Sequence, residues 1–161
     1  MIPAHPTSVL FVCLGNICRS PLAEGVFRQK IQEAGLGDQF LLDSAGLGAW
    51  HVGHPPDGRT ISVARVHGTD ISDLRARRIA VEDFYAFDLI LAMDRDNLRD
   101  IRAMQPRDGT AEVALYLEYC GLEQMKRSYE VPDPYYGGAD VFEDVYHLVD
   151  QASDILLQKL R

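Results

Sequence analysis

Cysteine is scarce in this 161-residue chain: Cys13, Cys18 and Cys120 are the only three, and they stand unevenly spaced. Such sparse cysteine excludes a disulfide framework and predicts a reducing compartment, the cytoplasm. Long hydrophobic runs are missing as well. Met1 to Thr7 lacks a basic opening segment, and the apolar run behind it is too short for a signal peptide or a membrane span. Positive charge is in deficit, with 16 Lys and Arg against 24 Asp and Glu, a net charge of −8. That excludes broad electrostatic binding to nucleic acid or to an anionic membrane, and any anion site must gather its charge locally. No internal repeat or low-complexity tract divides the chain. His51, His54 and His67 form no metal-ligand pattern with the cysteines, so neither metal nor cofactor is expected. His5 and His147 read as surface or packing residues.

What is present suits a domain spanning residues 1–161, expected to act as a monomer: 47% of the residues are hydrophobic, enough for a core. Ser8 to Val12 is a continuous apolar run of the kind found in buried parallel strands. Ser20 and Pro21 read as the cap and first residue of a helix with Glu24 in its first turn, and Gly35 ends it. Further strands are expected at 40–44, 88–93 and 113–117, with helices at 59–67 and 94–104. A long amphipathic helix marked by Val145, Val149, Ala152 and Leu156 closes the chain. Strands alternating with helices predict a doubly wound α/β domain, with ligands bound outside the carboxyl ends of the strands.

The densest signal lies between the first strand and the first helix, where Cys13 to Pro21 read Cys-Leu-Gly-Asn-Ile-Cys-Arg-Ser-Pro. A thiol at the end of a strand, ringed by loop amides at a helix N-terminus and near Arg19, is favoured as the thiolate nucleophile. The same amides and the planar Arg19 fork suit phosphate oxygens. Gly15 permits a left-handed backbone or a close approach. Asn16 can fix the loop through its amide, and Ser20 can stabilise the Cys13 sulfur. Transfer through a phospho-cysteine needs an acid and then a base. Asp133, stiffened between Pro132 and Pro134, is the first candidate. Asp94 is the second, although its place before a helix reads better as an N-cap. Trp50, Tyr135 and Tyr136 can wall an aromatic slot. The charges from Asp70 to Arg78 read as a solvated surface.

The run Val12 to Pro21 together with Asp133 to Tyr136 resembles the low-molecular-weight protein tyrosine phosphatase family. Ser44-Ala45-Gly46, Trp50 to Gly53 and Ala92 to Leu98 match it in order across nearly the whole chain. The resemblance implies a four-stranded parallel sheet flanked by helices in three layers, with the phosphate loop after the first strand. It implies metal-free hydrolysis of phosphotyrosine in proteins or peptides, with Cys13 as nucleophile, Arg19 as phosphate ligand and Asp133 as acid and then base. Asn16, Ser20 and Ser44 become loop supports, while Leu14, Ile17, Trp50, Tyr135 and Tyr136 become the rim. Related protein-arginine phosphatases look to carry threonine at position 17, so Ile17 favours phosphotyrosine. Leu74 stands where members often carry a histidine packed near the loop asparagine, so His67 or Ser44 is expected to brace Asn16 instead.

Cys18 keeps two readings, a packing residue under the loop or a partner that protects Cys13 through a reversible disulfide. Cys120 reads as structural. Arsenate reduction on the same fold would need a relay of thiols that Cys18 and a remote Cys120 hardly provide. A non-catalytic phosphotyrosine-binding module is disfavoured by the intact set of Cys13, Arg19, Ser20 and Asp133.

Overall fold

The computed structural model describes residues 5–124 and 129–161. Met1 to Ala4, part of the N-terminal stretch considered above, lie outside them. Four strands, β1 (Thr7–Cys13), β2 (Phe40–Gly46), β3 (Leu89–Ala92) and β4 (Glu112–Leu115), form one parallel sheet in the order β2-β1-β3-β4. The expected four-stranded α/β architecture is therefore observed. β1 is central, and the strand order turns back on itself there, which opens a crevice at its carboxyl end.

Strand alternation sorts the apolar residues into two layers. Val9 and Phe11 of β1 join Leu89 and Leu91 of β3 on one face, packed with α1 (Arg19–Glu33), α2 (Gly58–Val66), α5 (Tyr116–Cys120) and α6 (Ala139–Leu160). Leu10, Val12, Ile90 and Ala92 take the other face, beneath α3 (Asp83–Ala86) and α4 (Arg95–Met104). No helix among the described residues is long and apolar enough to cross a membrane.

Most boundaries differ by a residue or two from those read in the sequence, and two of the differences have a clear physical cause. The fourth strand stops at Leu115, and Tyr116 and Leu117 begin α5. The Tyr116 hydroxyl there meets the Ser153 hydroxyl of α6 at 2.9 Å, so a buried polar pair outweighs the β preference of the segment. The cap of α1 is Cys18 rather than Ser20, without a side-chain hydrogen bond to the helix amides. Ser20 is already helical, and its hydroxyl is committed to Cys13 and Asn16.

The larger layer is pinned by aromatic edges. The Phe27 ring, fully buried on α1, meets Phe11 at 6.1 Å and Phe40 at 5.6 Å, both edge to face. Phe27→Ala is expected to cost about 3–5 kcal/mol, read as a lower urea midpoint with an unchanged slope. A loss below about 1 kcal/mol would mean that the neighbours collapse into the gap.

Candidate active site

The backbone itself shapes the cradle after β1. Asn16 sits in the left-handed region at φ 57°, which curls residues 14–18 back toward the end of the strand. Gly15 does not use a left-handed conformation; it allows close approach instead, since an added Cβ would lie 3.1 Å from the His51 ring. Gly46, at the end of β2, is tighter still: a Cβ there would meet the Leu14 carbonyl oxygen and the Gly15 carbonyl carbon, both at 3.0 Å.

Side chains then lock the curl. The Asn16 carboxamide donates to the Ser20 hydroxyl at 2.8 Å and to the Ser44 hydroxyl at 3.0 Å, and accepts the Arg77 backbone N–H at 3.0 Å. Ser44 thus braces Asn16, as one of the two expected substitutes for the missing histidine. His67 does not: it lies between α2 and α6, against Glu143. Leu74 simply packs on the larger core layer. Arg77 is no free surface charge either. Its guanidinium bonds Asp43 at 2.9 Å and grips both oxygens of Asp83 at 3.0 Å, which holds its backbone N–H against Asn16.

Glu24 is the support that sequence reasoning placed but did not recognise. It accepts from the Ser44 hydroxyl at 2.7 Å and from Arg28 at 2.7 Å, and it is only 3% exposed. Burial pushes its carboxyl above the usual range, while Ser44 and Arg28 hold it part of the way back. The available signal was its spacing, four residues beyond Ser20 and four before Arg28 on one helical face.

Cys13 is buried at the floor. Its Sγ lies 3.0 Å from the Ser20 hydroxyl and accepts the Asn16 backbone N–H at 3.3 Å. Because Ser20 already receives a hydrogen from Asn16, its own proton can turn to the sulfur, so that both contacts aim hydrogens at Cys13. Arg19 donates to Asp94 at 2.6 Å and to the Val131 carbonyl at 3.1 Å, and its other terminal nitrogen is 3.6 Å from Asp133. Burial works against its charge, but Cys13, Asp94 and Asp133 outweigh that and raise its pKa above the ordinary value. Of its two readings, Asp94 takes that of the N-cap: its second oxygen caps α4 by accepting the Asn97 N–H at 2.8 Å.

The segment carrying Asp133 is anchored at Val131, whose N–H donates to the Met93 carbonyl at 2.8 Å, beyond β3. Asp133 Oδ1 accepts the Tyr135 N–H at 3.1 Å, and the side chain is 44% exposed. A cavity of about 320 Å³ is lined by Cys13, Leu14, Gly15, Ile17, Cys18 and Arg19 from the cradle and by Trp50, Asp133, Tyr135 and Tyr136 from two later loops. His51, assigned no role from the sequence, completes the lining beside Trp50. Tyr135 and Tyr136 stand edge to face at 4.9 Å. Asn16, Ser20 and Ser44 are buried and do not line the cavity. Cys18 is buried, which pushes its thiol up to about 12. Cys120 is buried as well, likewise pushed up to about 12, and donates to the Ala152 carbonyl of α6 at 3.4 Å.

A buried cysteine sulfur at the end of a central parallel strand, lining one cavity with a buried arginine, belongs here to a protein-tyrosine-phosphatase, a phosphoric monoester hydrolase. Residues 8–161 match the model of the low molecular weight phosphotyrosine protein phosphatase family, and the chain belongs to that family. The phosphatase of that name from Schizosaccharomyces pombe is 49% identical over 150 residues, 92% of this chain and 94% of the relative. A solved protein tyrosine phosphatase from Entamoeba histolytica superposes with a TM-score of 0.87 at 37% identity, covering 96% of each chain. The Drosophila arginine phosphatase superposes with a TM-score of 0.85 at 34% identity, over 94% of this chain and 96% of that one. The chain has low molecular weight phosphotyrosine protein phosphatase activity.

The raised pKa of Glu24 has a definite sign. Between the ordinary value of 4.5 and the higher folded value, the folded protein holds a proton that the unfolded chain has lost, so stability falls as pH rises through that window. Glu24→Gln removes this slope and keeps an acceptor for Ser44, and partly exposed Arg28 can turn to solvent. Urea denaturation should show the variant gaining stability relative to wild type as pH rises from 4.5, with the difference levelling off above the folded pKa. A difference that does not change with pH would show that Glu24 titrates alike in both states.

Proposed function

We propose that the cradle hydrolyses phosphotyrosine in proteins and peptides, and small aryl phosphates, in two steps without metal. The Cys13 thiolate attacks phosphorus, an S–P bond forms, and the bond from phosphorus to the aryl oxygen breaks as Asp133 gives that oxygen a proton. Arg19 and the N–H groups of residues 14–19 take the equatorial oxygens as charge spreads over them. Water then attacks phosphorus and passes its proton to Asp133. The S–P bond breaks and inorganic phosphate leaves, with Ser20 donating to the returning thiolate.

The observation that carries this reading is the convergence of Cys13, Arg19 and Asp133 on one cavity whose sulfur is already hydrogen-bonded by Ser20 and Asn16. Asp94 fits the acid role poorly, because one oxygen holds Arg19 and the other caps α4.

The substrate class follows from the walls. Trp50, Tyr135 and Tyr136 offer aromatic faces, and Ile17 adds an apolar one. These suit a phenyl ring better than a guanidinium, which would seek polar partners; the kinship with an arginine phosphatase therefore does not decide the substrate. A thiol relay for arsenate reduction finds no support, since Cys120 lies under α6, outside the cavity lining. Free thiols at Cys13, Cys18 and Cys120 fit a reducing compartment, which favours the cytoplasm.

Cys13→Ser should abolish turnover of an aryl phosphate in chelator-treated buffer, and retained activity would overturn the mechanism. Asp133→Asn should lower kcat for phosphotyrosine roughly 10²–10⁴-fold, with a smaller loss for substrates whose leaving phenol needs no proton. A rate unchanged by Asp133→Asn would return the acid role to Asp94.

Cys18 extends the proposal. Its thiol, pushed up to about 12, is not the nucleophile at neutral pH and acts after oxidation. Peroxide converts Cys13 to the sulfenic acid with loss of water, the Cys18 thiol condenses with it so that its proton and the sulfenic hydroxyl leave as water and the disulfide forms, and added thiol reduces both residues. Wild type treated with mild peroxide should recover fully on addition of thiol, whereas Cys18→Ser should stay mostly inactive. Equal recovery would leave Cys18 as a packing residue.

A further inference from the structure

Away from the cavity, α2 and α6 bring ligand-type side chains of two elements together at the surface. His67 follows the last turn of α2, while Glu143 and His147 stand one turn apart on α6. Glu143 Oε1 lies 2.5 Å from His67 Nε2 and 3.1 Å from His147 Nε2. All the ligand atoms of this group fall within 4.8 Å of one another. The His67 ring is stacked on Tyr146, with centroids 4.0 Å apart and planes 9° apart, and it meets the His147 ring edge-on at 5.2 Å. One imidazole is thus held in place by packing, and the other two ligands are free to adjust, Glu143 at 41% and His147 at 61% exposure.

We infer that His67, Glu143 and His147 form a binding site for a divalent transition-metal ion, Zn²⁺ above all, through two Nε2 atoms and one carboxylate oxygen. The Glu143–His147 pair has the spacing that puts two ligands on one helical face. A ligand from a second element turns this into a three-point site with positions left for water. Two imidazoles and one carboxylate suit zinc and its neighbours, whereas magnesium and calcium call for oxygen ligands. Bonds of about 2.0–2.1 Å in tetrahedral array separate ligand atoms by roughly 3.3–3.4 Å. The two measured nitrogen-to-oxygen gaps, 2.5 and 3.1 Å, need to widen by less than 1 Å to match.

The contacts also say why an ion pair alone is an incomplete account. One histidine suffices to fasten α2 to α6 through Glu143, yet both present the same ring nitrogen to the same carboxylate oxygen. When metal binds, each Nε2 gives up any proton it carries, which goes to solvent or to Nδ1, and offers its lone pair instead. Lys30, which lines a cavity with His67, brings no uncompensated repulsion: it is paired with Asp150 at 2.8 Å and Asp154 at 2.9 Å. His147, which reads as an ordinary surface histidine in the sequence, becomes a ligand only once α6 is docked against the end of α2.

The test is calorimetric titration with zinc chloride, on wild type and on a Cys13→Ser background that removes the competing cavity thiolate. The Cys13→Ser chain should keep one zinc site, and its affinity should fall as pH falls, because the ligand nitrogens must be unprotonated. In that background His147→Ala, at an exposed position, and Glu143→Gln should each weaken zinc by about tenfold or more, at least what loss of an outer partner costs a metal site. Cobalt chloride should give a visible ligand-field band without thiolate charge transfer, and His147→Ala should erase it. Absence of zinc binding, or binding left unchanged by His147→Ala, as a site on His51 and His54 would give, overturns the assignment. So does a cobalt spectrum dominated by thiolate.

Discussion

The carboxamide of Asn16 is the joint on which the mouth of the sheet depends. Its three polar contacts reach the first helix through Ser20, the second strand through Ser44 and the segment before α3 through Arg77. A non-glycine residue at φ 57° is uncommon, and asparagine tolerates that region better than most. The left-handed turn aims the Asn16 N–H at the Cys13 sulfur while the side chain reaches the other way, into buried hydroxyls. One residue therefore couples the conformation of the cradle to the Cys13 sulfur. Glu24 lies one hydrogen bond farther out, accepting from Ser44 and so freeing that hydroxyl oxygen to receive the Asn16 amide.

Charge is organised around the same point. A chain of net charge −8 places a guanidinium only 3% exposed at its anion site, where an unpaired charge would be costly. Asp94 and the Val131 carbonyl carry that burden through hydrogen bonds at 2.6 and 3.1 Å, while Asp133 stands farther off at 3.6 Å. The asymmetry matters. A carboxylate that also caps a helix is a fixed partner, whereas one that is 44% exposed and 3.6 Å away is loosely held. Asp94 and Asp133 are therefore distinguished by their surroundings and not by residue type.

Much of this was legible in the sequence because it is local. Cys13, Arg19 and Ser20 share one strand–loop–helix unit, and Asp133 to Tyr136 carries an unusual mixture of proline, acid and aromatics. Strand positions followed from apolar runs, and buried parallel strands leave few other signals. What escaped is tertiary. Ser20 looked like a cap because a serine before proline favours that role, but the curled loop engages its hydroxyl with Cys13 and Asn16. Arg77 looked solvated because its partners, Asp43 and Asp83, are distant or unremarkable in sequence. Tyr116 looked like strand until Ser153, 37 residues later, supplied its partner.

The second helix shows how such remote contacts join into one device. At its N-terminal end, the Asp57 N–H donates to the Ile17 carbonyl at 2.8 Å, and Thr60 is buried on the first turn. Its C-terminal end carries His67, gripped by Glu143 and stacked on Tyr146 of α6. α6 in turn packs extensively on α1, whose first residue is Arg19. Cradle, α2, α6 and α1 therefore close a ring of contacts, in which the end of the loop at Ile17 to Arg19 is held by two helices that are themselves tied together through α6. A force that tightened α2 against α6 would act on Ile17 and Cys18 through α2 and on Arg19 through α1. Two polar ties fasten that ring, His67–Glu143 between α2 and α6 and Lys30–Asp150 between α1 and α6, and of these the first stands where a small charged ligand could apply such a force.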